Sequence, residues 1–167
     1  MGSCGARGAT PEHEPPRRQA MSVVPTAGTD APRRPVRDSA TSPVHLDTSF
    51  LINALVADTW EGRRLRRWLQ QDTRIAVSAV AWAEFLCGPV SAEDRQRART
   101  VVGMPLPLVE AEAARAAELF NKGGRRRGTL PDALIAAAAL AAGAALATSN
   151  AADFGRFERE GLTVIAE

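Results

Sequence analysis

From Val44 to the C-terminus, apolar runs too short for helices alternate with segments of helical periodicity, and that alternation restricts the chain more than any other feature. Val44-His45-Leu46, Arg74–Ser78, Leu106–Val109, Ala144–Thr148 and Leu162–Ile165 read as strands. Between them, Phe50, Leu51, Ala54 and Leu55 recur at helical spacing, and Leu65, Trp68 and Leu69 form one apolar face of Glu61–Gln71. Ala79–Cys87 is a helix stopped by Gly88-Pro89, and Ser91-Ala-Glu-Asp94 is a capping box opening the next one. Glu110–Asn121, Pro131–Ala142 and Asp153–Glu158 complete the helices, with Arg125-Arg126-Arg127-Gly128 as a loop. Strands separated by helices require a parallel sheet covered on both faces. Such connections gather strand C-termini and helix N-termini on one edge, where ligand sites form.

Residues 1–43 are of another kind. They hold seven of the 11 prolines and almost no apolar run, so they bury too little surface to offset the entropy of ordering. We expect a disordered tail over 1–43 and one folded domain over 44–167, with Met21 as an alternative start. The N-terminus lacks the apolar core of a secretory signal. The longest apolar run, Ala133–Ala147, contains Gly143 and falls short of the roughly 20 residues of a spanning helix. A cytoplasmic protein with no membrane association is expected. Two cysteines exclude a disulfide framework and a Cys4 zinc site, and two histidines speak against a His-rich metal site. Any metal here must be held by carboxylates. The net charge of +2 announces no large basic field, so binding to a polyanion must rest on local patches.

Most acids of the domain, Glu61, Glu93, Glu112 and Glu118 among them, fall on polar helix faces and read as solvated surface. Four break that pattern: Asp47 ends the first strand, Glu84 lies within A-V-A-W-A-E-F-L-C, Asp132 heads D-A-L-I-A-A-A-A-L, and Asp153 lies in N-A-A-D-F. A carboxylate among apolar neighbours is costly to ionise without compensation, and no Lys or Arg adjoins any of them in sequence. A parallel α/β fold would bring Asp47, Asp132 and Asp153 to one edge, with Glu84 leaning over it. Converging oxygen ligands without histidine suit Mg2+ or Mn2+ and water activation for phosphodiester cleavage. A second reading stays open. Asp132 is fourth in Thr129-Leu-Pro-Asp and Asp153 fourth in Asn150-Ala-Ala-Asp, so both could complete helix caps. Asp47-Thr48-Ser49 could be an ordinary turn, whereas Glu84 has no capping role. His45 shares a strand side with Asp47 and reads as packing rather than as a base.

Four segments, L-D-T-S-F-L-I-N-A-L, A-W-A-E-F-L-C-G, L-P-D-A-L-I-A-A-A-A-L and L-A-T-S-N-A-A-D-F, in this order and over about residues 43–167, resemble the PIN-domain family, especially its VapC-type toxins. The resemblance implies a three-layer α/β/α sandwich with a central parallel sheet. It also implies a Mg2+- or Mn2+-dependent endoribonuclease, the toxin of a toxin–antitoxin pair, which hydrolyses RNA to inhibit translation and growth. The family's acidic positions fall on Asp47, Glu84, Asp132 and Asp153, and its supporting polar positions on Thr48, Ser49 and Asn150. A VapB-like antitoxin, an RNA substrate and a homodimer are the partners so implied. Alternatives are a PIN-like nuclease of RNA processing and a non-catalytic binding module. Arg125, Arg126 and Arg127 are candidates for RNA phosphates, although 20 of the 21 basic residues are arginine and clusters arise from composition alone. For the antitoxin, the apolar side of the first two helices (Phe50, Leu51, Leu55, Leu65, Trp68, Leu69) is the expected surface.

Overall fold

A computed structural model of the chain describes residues 42–167, and the expected tail lies outside them but for its last two residues. Four parallel strands, β1 (Val44–Leu46), β2 (Ile75–Ala76), β3 (Ala145–Ala147) and β4 (Val164–Ile165), stand in the order β2-β1-β3-β4. The helices are α1 (Thr48–Ala54), α2 (Trp60–Gln70), α3 (Ala79–Cys87), α4 (Ala92–Val102), α5 (Glu110–Lys122), α6 (Leu130–Ala141) and α7 (Ala151–Phe154), and a 3₁₀ helix at Gly155–Glu160 follows α7. They cover both faces of the sheet, so every residue of β1 is buried. This is the α/β/α sandwich that the strand–helix alternation implies.

Small side chains set the close packing of α6. Ala133, Ile135, Ala136, Ala137 and Ala139 are completely buried, which lets the helix lie deep in the molecule at little entropic cost. Phe50 packs edge-on against Trp60, with ring centroids 5.4 Å apart, and tilted by 30° against Trp68 at 5.5 Å, joining α1 to α2. A Cβ on Gly62 would lie 3.1 Å from Thr59 Oγ1 and 3.3 Å from the Ala54 carbonyl. Glycine therefore allows the first turn of α2 to approach the end of α1. Ser78 caps α3 by accepting from the Ala81 amide at 3.1 Å. Ser91 and Asp94 form the anticipated α4 cap: the Asp94 amide donates to Ser91 Oγ at 3.0 Å, and that hydroxyl donates to Asp94 Oδ2 at 2.6 Å.

Several expectations are corrected. Leu106–Val109 is not a strand; only Leu106 pairs, bridging to Ser78. Pro105 and Pro107 flank it and have no N–H to continue a ladder. The last helical segment begins at Ala151 and tightens to 3₁₀ geometry from Gly155. Phe50, Leu51, Leu65 and Trp68 belong to the core, and of the apolar residues expected to exceed it Leu69 stays exposed, at 45%. Of the expected surface Leu55 also contributes, on the α1 side of an apolar groove. Ile52, Leu55, Val56, Phe85 and Val90 line a groove between α1, the end of α3 and the loop before α4. Ile52 and Val56 are 41% and 55% exposed there.

Candidate active site

The strand order defines where the site lies. The chain leaves β1 toward β2 on one side, then crosses to β3 on the other. A crevice therefore opens beyond the C-terminal ends of β1 and β3, the usual ligand position in open parallel sheets. Asp47 follows β1 directly and Thr148 follows β3 directly.

Asp47 is 6% exposed and N-caps α1, and three donors converge on its Oδ2. These are the Ser49 amide at 3.3 Å, Ser49 Oγ at 2.6 Å and Thr148 Oγ1 at 2.9 Å. Oδ1 is thereby left as the oxygen for a further ligand. Thr48 Oγ1 donates to Glu84 Oε2 at 2.7 Å, drawing the half-buried Glu84 of α3 toward the same edge. The Asn150 amide group donates to Asp153 Oδ2. Thus each expected supporting residue is hydrogen-bonded to one of the expected acids: Ser49 to Asp47, Thr48 to Glu84 and Asn150 to Asp153.

Asp132, in the first turn of α6, carries the clearest electrostatic signature. Burial first, then the negative charge of Asp153, pushes its carboxyl up to about 6, with Asp47 and Glu84 adding to the rise and Arg156 opposing it. Its environment therefore contains all three other acids. Arg156 Nη2 meets Asp132 Oδ2 at 3.0 Å. The capping reading of Asp132 fails locally, because Thr129 makes no side-chain cap bond and its hydroxyl donates to the Arg126 carbonyl at 2.9 Å instead. The Asn150 side chain likewise accepts no cap bond from α7. Among the described residues, no three His, Cys, Asp or Glu side chains stand close enough together to hold a metal ion as they are placed. The donor chemistry nevertheless fits a hard divalent cation: oxygen ligands only, with mutual repulsion that such a cation would relieve.

Three participants were not legible from sequence. Glu61, expected on a solvated face, is buried at 4% exposure. Burial works against its charge, but hydrogen bonds from Ser149, from its own backbone and from Asn53 prevail and hold the carboxyl below the usual range. Ser149 Oγ donates to Glu61 Oε1 at 2.6 Å, and the Asn53 amide donates to the same oxygen at 3.1 Å. The Ser149 amide in turn donates to Ser49 Oγ at 3.0 Å, so this network ends on the hydroxyl that holds Asp47. Thr148 and Arg156 are the other two. Asn53, a lone amide in the apolar helix L-I-N-A-L, was the available signal for Glu61, and the three-residue step from Asp153 was the signal for Arg156. Arg125, Arg126 and Arg127 are exposed in the turn between α5 and α6, where Arg125 Nε donates to Asn121 Oδ1 at 2.7 Å. His45 is completely buried, with both ring nitrogens unpartnered among the described residues, and burial lowers its pKa to about 4. It is a neutral packing residue.

The PIN domain family matches residues 44–160 of the chain, which therefore belongs to that family. Its fold is shared with chains from three bacterial assemblies. Over 74% of this chain and 98% of the other, it is 22% identical to a chain of VapBC2 from Rickettsia felis, crystallised with a promoter DNA fragment, with a TM-score of 0.60. For DNA-bound VapBC from Salmonella typhimurium the identity is 18%, the coverage 75% and 98%, and the TM-score 0.58. VapBC-1 from nontypeable Haemophilus influenzae gives 24% identity, coverage of 74% and 96%, and a TM-score of 0.56. Among curated proteins, none matches the chain.

Proposed function

We propose that the domain over residues 44–167 is a Mg2+- or Mn2+-dependent endoribonuclease acting in the cytoplasm as the toxin of a toxin–antitoxin pair. The observation that carries this reading is the field the four acids share: burial first and then the charge of Asp153 push the Asp132 carboxyl up to about 6, and Asp47 and Glu84 add to the rise. Like charges gathered at a strand edge destabilise the bare protein and persist for a use. A divalent cation held by Asp47, Glu84, Asp132 and Asp153 would supply Lewis acidity and a water of lowered pKa for phosphodiester hydrolysis.

The chain's own residues do the positioning. Ser49 and Thr148 fix Asp47 through Oδ2, Thr48 orients Glu84, and Asn150 orients Asp153, in the manner of outer-shell partners that set ligand direction. The exposed arginines 125–127 adjoin α6, whose first turn bears Asp132, and offer phosphate contacts. Kinship in fold to chains of VapBC assemblies supports an antitoxin partner. The exposed apolar groove of Ile52, Val56 and Val90 is its proposed seat, and homodimerisation is part of the same proposal. Induced expression tests the role. It should arrest growth and create discrete new RNA ends, both absent with Asp47→Asn and both relieved by the partner encoded beside the gene. Harmless expression with no new ends would refute it.

A further inference from the structure

Arg156 forms the one ion pair made by any of the four site acids among the described residues. Arg–carboxylate pairs are strongest when two parallel N–H bonds form; here Nη2 alone reaches Asp132 Oδ2, at 3.0 Å, so the bond is not the strongest that the two groups could make. Nε is buried and has no hydrogen-bond partner among the described residues, an arrangement that costs stability. The guanidinium also lies over the Phe157 ring, whose centroid is 4.6 Å from Arg156 Cζ. Phe157 is itself 2% exposed and fixed in the core. The arginine sits in the 3₁₀ turn immediately after the helix bearing Asp153, so one short segment delivers both an acid and its opposing cation to the site.

The cation thus pairs with one of the four acids through a contact that leaves its hydrogen-bonding capacity partly unused. We propose that Arg156 is a built-in counter-ion that stands in for the divalent cation in the cation-free protein and gives up Asp132 when that cation binds. This rests on the nuclease reading above and deepens it, because the affinity of the site for its cofactor is then set by the chain's own arginine. A divalent ion wins the exchange by acting on several carboxylates at once, whereas Arg156 serves one. Arg156 is in this sense a positioning residue, acting through Asp132.

The sign of the effect separates this role from simple structural support. Loss of a supporting residue should loosen the site and weaken cation binding. Loss of a competing positive charge should tighten it. Binding of Mn2+ to the full chain would be measured by calorimetry at pH 8 and low salt, for wild type, Arg156→Met, which keeps a stem for the Phe157 ring, and Arg156→Lys, which keeps the charge. We expect Arg156→Met to bind Mn2+ on the order of tenfold more tightly and to melt earlier than wild type without cation, while Arg156→Lys stays near wild type in both. A folded Arg156→Met protein that binds Mn2+ equally or more weakly overturns the counter-ion role alone. Wild type that binds no Mn2+ overturns the nuclease reading together with it. Should Arg156→Met not fold, the Arg156 side-chain resonances of the wild type decide by NMR during Mg2+ addition. A shift saturating with the binding of the ion supports the exchange, and unmoved resonances overturn it.

Discussion

Asp132→Asn gives the sharpest separation between a carboxylate of a charged cluster and one that merely decorates a helix start. The Asp132 carboxyl rises from 3.8 to about 6 on folding, so between those values the folded protein holds the proton more tightly than the unfolded chain. Stability therefore falls as pH rises through this window and is flat above it, the total loss being about 3 kcal/mol. The side chain is 23% accessible, so solvent screening removes only part of that. An amide, uncharged at every pH, should recover about 1–3 kcal/mol at pH 7.5 without cation, less the lost bond to Arg156. At pH 4 and below the advantage should vanish, because the wild-type carboxyl is then protonated too. Urea unfolding of both proteins in EDTA at pH 7.5 and pH 4 measures the difference directly. Were Asp132 only a first-turn acid favouring the helix dipole, Asp132→Asn would instead lose about 0.5–1 kcal/mol near neutrality. A variant less stable than wild type at pH 7.5, or one whose advantage persists at pH 4, would refute the cluster.

His45 acts with the opposite sign. Its folded pKa of about 4 against 6.5 for the free group means that the unfolded chain takes up the proton first, so stability drops by about 3 kcal/mol as pH falls from 6.5 to 4. That slope runs against the Asp132 slope, and His45→Leu should expose it by giving a protein that resists acid better than wild type in urea titrations. Glu61→Ala leaves Ser149 Oγ and the Asn53 amide without the acceptor they share, and should cost about 2–3 kcal/mol in thermal unfolding, with Glu61→Gln milder. Removal of residues 1–41 should change neither the melting temperature nor RNA cleavage, whereas removal through Pro43 should lower both, because the Pro43 carbonyl accepts from the Ala145 amide at 3.0 Å.

What could be read in the sequence, and what could not, follows from the range over which each signal acts. Asp47, Glu84, Asp132 and Asp153 were visible because each interrupts its own apolar neighbourhood, and the covered parallel sheet because strand and helix periodicities differ locally. Thr148, Glu61 and Arg156 were hidden because their partners are remote: Thr148 meets Asp47 across 101 residues, Ser149 meets Glu61 across 88, and Arg156 meets Asp132 across 24. An acid in the first turn of a helix looks the same whether water surrounds it or two side-chain donors, as Ser149 and Asn53 do at Glu61. The strand expected at Leu106–Val109 failed for a local reason that was present in the sequence, the prolines on either side of Leu106. The apolar surplus of the first two helices was misread because Phe50, Trp60 and Trp68 satisfy one another.

If the four carboxylates Asp47, Glu84, Asp132 and Asp153 hold a divalent cation for RNA hydrolysis, cleavage must depend on both the ion and the acids. The most direct measurement is cleavage of a structured RNA by the purified full chain in Mg2+, in Mn2+ and in EDTA, beside Asp47→Asn purified identically. Cleavage is expected with either metal, none in EDTA, and a loss of orders of magnitude in the variant. Undiminished cleavage in EDTA, or a fully active Asp47→Asn protein, would contradict that dependence.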